Sequence, residues 1–175
     1  LYEQSGEVAA AADDLTRYLE STGQPWSASP TVALRYADLS HRLGNYEQVI
    51  NTTQMLIRPD AAPAVAQEAL YRLGEAQTRN AQFREALATF DKLQADHPIN
   101  AYRHAVDLRR GLLLSKLGRP EESMAVLLTS ADDPQLPTPQ RVAALRIIAA
   151  QLRDDGRADD AAVVLRRMEN LAGLA

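Results

Sequence analysis

Apolar and small residues recur along the chain at intervals of three and four, the spacing that places side chains on one face of a helix. The pattern is clearest over residues 69–98. One face of each predicted helix comprises Leu70, Leu73, Gly74 and Gln77 in the first, and Phe83, Ala86, Phe90 and Leu93 in the second. Gly74 and Ala86 are small where the two helices would cross closely, and Phe90 fills the space beside them. This stretch predicts two amphipathic helices that pack together around a short turn.

The same unit repeats along the chain with a nearly constant period. Predicted turns fall at Gly6, Gly44, Ala81, Gly118 and Gly156, separated by 38, 37, 37 and 38 residues. A fixed period of this length is typical of stacked helix pairs rather than of a closed globule. We therefore predict an all-α fold in a single repeat domain spanning residues 1–175. It contains a half repeat over residues 1–22 and four whole repeats over residues 29–59, 62–98, 99–132 and 138–173.

The start of the chain indicates that it is part of a longer protein. Leu1 replaces an initiator methionine, and residues 1–4 read as the tail of a helix that would end at the Gly6 turn. On the last helix, the pattern leaves an apolar surface formed by Val163, Val164 and Leu171. We therefore expect missing flanking sequence, and self-association through truncated repeat ends is one expected consequence.

The composition excludes several classes of function. The net charge of −4 argues against a nucleic-acid surface, because neutralising phosphates requires clustered excess cations. Without cysteine, the chain forms no disulfide and no thiolate-ligated metal site. No apolar run approaches the roughly 20 residues needed to span a bilayer, so we expect no direct membrane insertion.

The helix–turn–helix unit at residues 69–98, with a small residue midway in each helix, resembles the tetratricopeptide repeat, a unit of about 34 residues. The resemblance implies a right-handed α-solenoid of about four and a half repeats whose first helices line a concave groove. It also implies a non-catalytic scaffold that binds a protein or peptide. The longer period and the Ala95–Pro98 ending are similar to repeats of bacterial cell-envelope proteins. This similarity favours an envelope-associated assembly or export complex, and a periplasmic or outer-membrane-associated location over a cytoplasmic one.

Arginine recurs at 37-residue intervals on the predicted first helices, at Arg35, Arg72, Arg109 and Arg146. The resemblance implies that these side chains form a column along the concave groove, where guanidinium groups can grip carboxylates. The remaining predicted groove residues are Asp38, Glu75 and Arg79. Alternatively, the arginines pair with nearby carboxylates and only solvate the groove; these carboxylates are Asp38, Glu68, Glu75 and Asp107.

Trp26 is the one large aromatic residue in a predicted loop, the proline-bounded stretch after the first helix. Such a side chain can anchor a partner protein. The alternative is that it folds back over the neighbouring helices.

No constellation of catalytic or metal-binding residues is present in the sequence. The three histidines, His41, His97 and His104, lack the spacing that places two metal ligands on one helical face. Phosphate-binding glycine loops and nucleophile elbows are also absent. We therefore predict a protein that is not an enzyme and takes no cofactor or metal.

Two further classes of function stay open at the level of sequence. The repeats could form a structural or oligomerisation spacer, or they could be a regulatory appendage of an enzyme whose catalytic domain lies in flanking sequence. The fourth pair is predicted to be the least stable, because Asp107, Arg110 and Ser123 occupy core-type positions.

Overall fold

The computed structural model describes residues 2–23 and 28–173, and within this part the chain is helical without β-strands. The helices are α1 (Tyr2–Thr22), α2 (Pro30–Arg42), α3 (Tyr46–Gln54), α4 (Pro63–Arg79), α5 (Phe83–Asp96), α6 (Arg103–Lys116), α7 (Pro120–Asp132), α8 (Thr138–Asp154) and α9 (Ala158–Gly173). No helix in these residues is both long and apolar enough to cross a membrane. The chain forms two compact units, Leu1–Pro98 with α1 to α5 and Ile99–Ala175 with α6 to α9.

Four of the five predicted turns are present, and all four have the same backbone geometry. The second residue after each helix end has a positive φ: 78° at Gly44, 58° at Ala81, 71° at Gly118 and 75° at Gly156. In each turn the next N–H donates to a carbonyl five residues earlier, as from Asn45 to Ser40 at 2.9 Å. The N–H of the positive-φ residue itself donates to the carbonyl three residues earlier, as from Gly44 to His41 at 3.1 Å. The two bonds together form the Schellman motif, which satisfies carbonyl groups left open at a helix end. The 37-residue period is therefore a repeated helix stop.

The predicted turn at Gly6 is wrong. Gly6 lies inside α1, which runs unbroken from Tyr2 to Thr22. The backbone of Gly6 does not have the positive φ that marks the four true turns. A glycine weakens a helix interior by only about 1 kcal/mol, so the residue alone does not impose a stop. The first predicted range, residues 1–22, therefore contains one helix instead of the end of one helix and a second helix.

In the first unit, α4 and α5 pack closely where Gly74 faces Phe90. A Cβ atom at Gly74 would lie 2.5 Å from Cε1 of the Phe90 ring, which is itself fully buried. Ala86 is also fully buried, as the small-residue pattern predicts. Beside this pair, the Oγ1 of Thr89 donates a 2.7 Å hydrogen bond to Oε1 of Gln77. The close crossing predicted from residues 69–98 is confirmed.

In the second unit, Gly111 of α6 has the same role against Leu127 of α7. A Cβ atom there would lie 2.5 Å from Cδ2 and Cγ of Leu127. Ser123 is fully buried and donates a 2.6 Å hydrogen bond to the Gly111 carbonyl. Its Oγ accepts a hydrogen bond from Nε2 of Gln151 on α8. Asp107 and Arg110, the other polar residues at core-type positions, form a partly buried ion pair at 3.6 Å.

The last helix carries less exposed apolar surface than the sequence predicts. Val164 and Leu171 pack against the buried cluster of the second unit, which includes Leu145 and Ile148. Only Val163 of the three predicted residues is largely exposed, at 58%. The helical pattern assigns α9 a broad apolar face, but most of that face is used against α8.

Candidate ligand-binding groove

Helices α2 and α4 of the first unit border a groove of about 520 Å³. Both helices are the first of their pairs, and they contact each other directly. The residues that line the groove are Thr31, Leu34, Arg35, Asp38, Ala64, Val65, Glu68 and Arg72. Leu34 and Val65 supply its apolar wall, and both also pack on the buried cluster formed by Ala33, Leu56 and Ala69. We call this site the α2/α4 groove.

Four charged side chains in the α2/α4 groove form a chain of ion pairs. Nη1 of Arg35 lies 3.6 Å from Oδ2 of Asp38. Nη1 of Arg72 donates to Oδ1 of Asp38 at 3.2 Å, and so links the two helices. The same guanidinium contacts Oε1 of Glu68 at 2.9 Å through both Nε and Nη2. Positive and negative side chains therefore alternate in this series of contacts, in the order Arg35, Asp38, Arg72, Glu68.

Of the two arginines in this series of ion pairs, Arg72 is held more tightly. Partial burial alone would lower its pKa, but hydrogen bonds to Glu68 and Asp38 outweigh this effect and raise the pKa of Arg72 above its ordinary value. Its side chain is 28% exposed, whereas that of Arg35 is 62% exposed. Arg72 thus remains charged at every relevant pH, and two carboxylates already neutralise it.

The structure brings together only part of the predicted groove set. Arg35, Asp38 and Arg72 share the α2/α4 groove, and the predicted pairing of the arginines with Asp38 and Glu68 is present. Glu75 and Arg79 lie further along α4, outside the residues that line this groove.

The other predicted site residues are not placed in the α2/α4 groove. Arg109 is partly buried on α6, and Arg146 is exposed on α8, both in the second unit. A continuous arginine column through all four positions therefore stays a prediction. Trp26 lies outside the described residues.

A second groove of about 350 Å³ adjoins the first on the other side of Arg35, between α1 and α2. It is lined by Glu7, Val8, Ala11, Arg35, Leu39 and Arg42. Sequence reasoning missed Arg42, although its spacing of seven residues from Arg35 places both on one helical face. Arg35 therefore borders two grooves.

The third groove of the first unit, about 420 Å³, lies where the loop between α3 and α4 meets the end of α5. Its charged lining comprises Arg58, Lys92 and Asp96, and Lys92 already pairs with Asp96 at 2.7 Å. Among the described residues, no group of three or more His, Asp or Glu side chains is placed to hold a metal ion.

Comparison with known proteins identifies the repeat. The family model described as tetratricopeptide repeat matches residues 68–98. By sequence, no curated protein matches the chain.

Solved structures match the fold over nearly the whole chain. The crystal structure of MamA is 14% identical, with a TM-score of 0.76, and the match covers 98% of this chain and 92% of that one. The Podosopora anserina putative kinesin light chain with nearly identical TPR-like repeats is 15% identical, with a TM-score of 0.78 and coverage of 98% and 90%. A further MamA structure, from AMB-1, is 20% identical, with a TM-score of 0.67 and full coverage of both chains. Residues 68–98 are therefore a tetratricopeptide repeat, and the chain is an all-α repeat solenoid with the fold of tetratricopeptide-repeat proteins.

Proposed function

We propose that the protein is a non-catalytic scaffold that binds a peptide or an extended protein segment in the α2/α4 groove. The observation that carries this proposal is the groove itself, which combines an apolar wall at Leu34 and Val65 with exposed charge at Arg35. Concave sites of this composition are where proteins bind ligands, because apolar area supplies affinity and a few polar groups fix orientation. The fold of the structural neighbours is compatible with this use.

Blocking the groove tests the proposal. Ala64 is exposed and lines the groove, so Ala64→Trp fills it without disturbing the core. Ala88→Trp on α5 is the matched control, because Ala88 is also exposed and lines none of the three grooves described above. We expect a random-peptide display library to yield binders of the wild-type chain that lose affinity about tenfold or more with Ala64→Trp and keep it with Ala88→Trp.

Two results would contradict the proposal. Binders that are unaffected by Ala64→Trp would move the site to another surface. A library that yields no binder would favour the alternative of a structural spacer. Light scattering over a concentration series then tests that alternative, because a spacer built by self-association gains mass with concentration whereas a monomer does not.

As the setting of this scaffold, we propose a bacterial envelope-associated assembly. Its support is the 37- to 38-residue period and the Ala95–Pro98 ending. Fractionation of the source organism is the test: recovery of the protein with periplasmic or outer-membrane material is expected, and recovery from the cytoplasm alone would contradict the proposal.

A further inference from the structure

The series of ion pairs in the α2/α4 groove ends in opposite charges. Asp38 and Arg72, its inner members, each contact two opposite charges. Arg35 and Glu68, its end members, each have one ionic partner among the described residues. The series of ion pairs therefore has a positive end at Arg35 and a negative end at Glu68.

The positive end is the place where a ligand carboxylate binds at least cost. A carboxylate at Arg72 would have to compete with two others that already hold that guanidinium. Arg35 is 62% exposed, and its 3.6 Å distance from Asp38 exceeds that of a hydrogen bond. A new carboxylate can thus form a bidentate contact with Arg35 and leave the rest of the chain intact.

The negative end has spare acceptor capacity. Both contacts from Arg72 fall on the same oxygen of Glu68, Oε1. The Glu68 side chain is 33% exposed, and its second oxygen has no hydrogen bond or ion pair among the described residues. Leu34 and Val65 form the apolar wall of the same groove, as described above.

We propose that the α2/α4 groove selects peptide segments that carry both an acidic and a basic residue beside an apolar one. The acid binds Arg35, the base binds Glu68, and the apolar side chain packs on Leu34 and Val65. This inference rests on the proposed function, and it excludes a purely acidic segment as the preferred ligand. Arg72 then acts as a positioning residue that holds Asp38 and Glu68 in place.

Four blocked synthetic peptides of equal length test the selectivity by fluorescence polarisation. All contain a central leucine in a Gly/Ser background; one adds Asp and Lys on either side of it, one two Asp, one two Lys, and one no charge. We expect the mixed peptide to bind about tenfold more tightly than the other three. Arg35→Glu should remove that advantage, whereas Arg84→Glu, the same charge change at an exposed position on α5, should not.

A gain of binding provides a second readout that misfolding cannot produce. Asp38→Asn removes the carboxylate that occupies both Arg35 and Arg72. The two-Asp peptide should then bind severalfold more tightly than it binds the wild-type chain, because Arg35 loses its ion-pair partner and Nη1 of Arg72 loses its carboxylate acceptor, while Glu68 still holds the rest of the Arg72 guanidinium.

The outcomes separate this inference from the proposed function. Equal affinity for the mixed and two-Asp peptides, with both lost in Arg35→Glu, would overturn the mixed-charge selectivity while groove binding stands. Failure of all four peptides, when library-selected binders still lose affinity with Ala64→Trp, would also overturn it. If library selection fails as well, the proposed function fails with it.

Discussion

Replacing Gly74 with alanine tests the close packing on which the repeat depends. The added Cβ would lie 2.5, 2.6 and 2.9 Å from three atoms of the Phe90 ring. Unstrained carbon contacts are about 3.5 to 4.0 Å, so the ring or the helix must move by about 1 Å. Phe90 is fully buried, which leaves the ring no open space to enter. The higher helix propensity of alanine raises the free energy of unfolding by about 1 kcal/mol. Overpacking lowers it by about 1–3 kcal/mol.

We therefore expect Gly74→Ala to lower the free energy of unfolding by up to about 2 kcal/mol. The matched control is Gly6→Ala, because Gly6 is also helical and a Cβ there meets nothing within 4 Å. That change should raise the free energy of unfolding by about 0.5–1 kcal/mol. Urea unfolding followed by far-UV circular dichroism measures both values.

A double-mutant cycle isolates the contact itself. Phe90→Leu removes ring atoms from the crossing, so combining it with Gly74→Ala should cost about 1 kcal/mol less than the sum of the two single changes. If Gly74→Ala stabilises the chain as much as Gly6→Ala does, α4 and α5 are further apart at Gly74 than a close crossing requires, and the close crossing is contradicted.

Three other substitution and exchange experiments test the turns and the polar core. Ala81 has a φ of 58°, so Ala81→Gly should raise the free energy of unfolding by about 1 kcal/mol in urea unfolding. Gly118→Ala, which places a side chain at a φ of 71°, should lower the free energy of unfolding by a similar amount. If both substitutions change the free energy of unfolding in the same direction, the backbone strain at these turns is contradicted. Ser123→Ala should cost about 1–3 kcal/mol in thermal unfolding, because it removes the hydrogen bond to the Gly111 carbonyl and leaves Nε2 of the buried Gln151 without its acceptor. Gln151→Met should change stability by less than about 1 kcal/mol, since Oε1 of Gln151 is buried without a partner among the described residues. Hydrogen exchange should show residues 106–128 as the least protected helical segment, and the best protection there would refute the predicted weakness of the fourth pair.

The fold was predictable from the sequence because its determinants are local. The period follows from the residues that allow a positive φ after each helix, and the small residue at Gly74 faces the large one at Phe90. Gly6 misled because the same residue type serves both as a helix stop and as an ordinary interior position. Gly6 differs from the turn glycines in its backbone conformation, which cannot be read from the sequence alone.

The candidate site was predictable only in part. Arg35 and Arg72, which the 37-residue interval relates, line one groove together with Asp38, and the binding role predicted for them stays a prediction. The interval could not show which of the two arginines is more available to a ligand. Their availability depends on the distance of each guanidinium from Asp38 and on the exposed fraction of each side chain. Arg42 was missed because it lies outside the 37-residue series, although it shares a helical face with Arg35.

The most direct test of the central claim is to map a bound peptide on the isotope-labelled protein by backbone amide NMR. The peptide would be the tightest binder from the display library. We expect amide chemical shifts to change chiefly over residues 31–38 of α2 and 64–72 of α4, and we expect Ala64→Trp to abolish the changes. Shift changes confined to other helices would contradict the claim that the α2/α4 groove is the binding site.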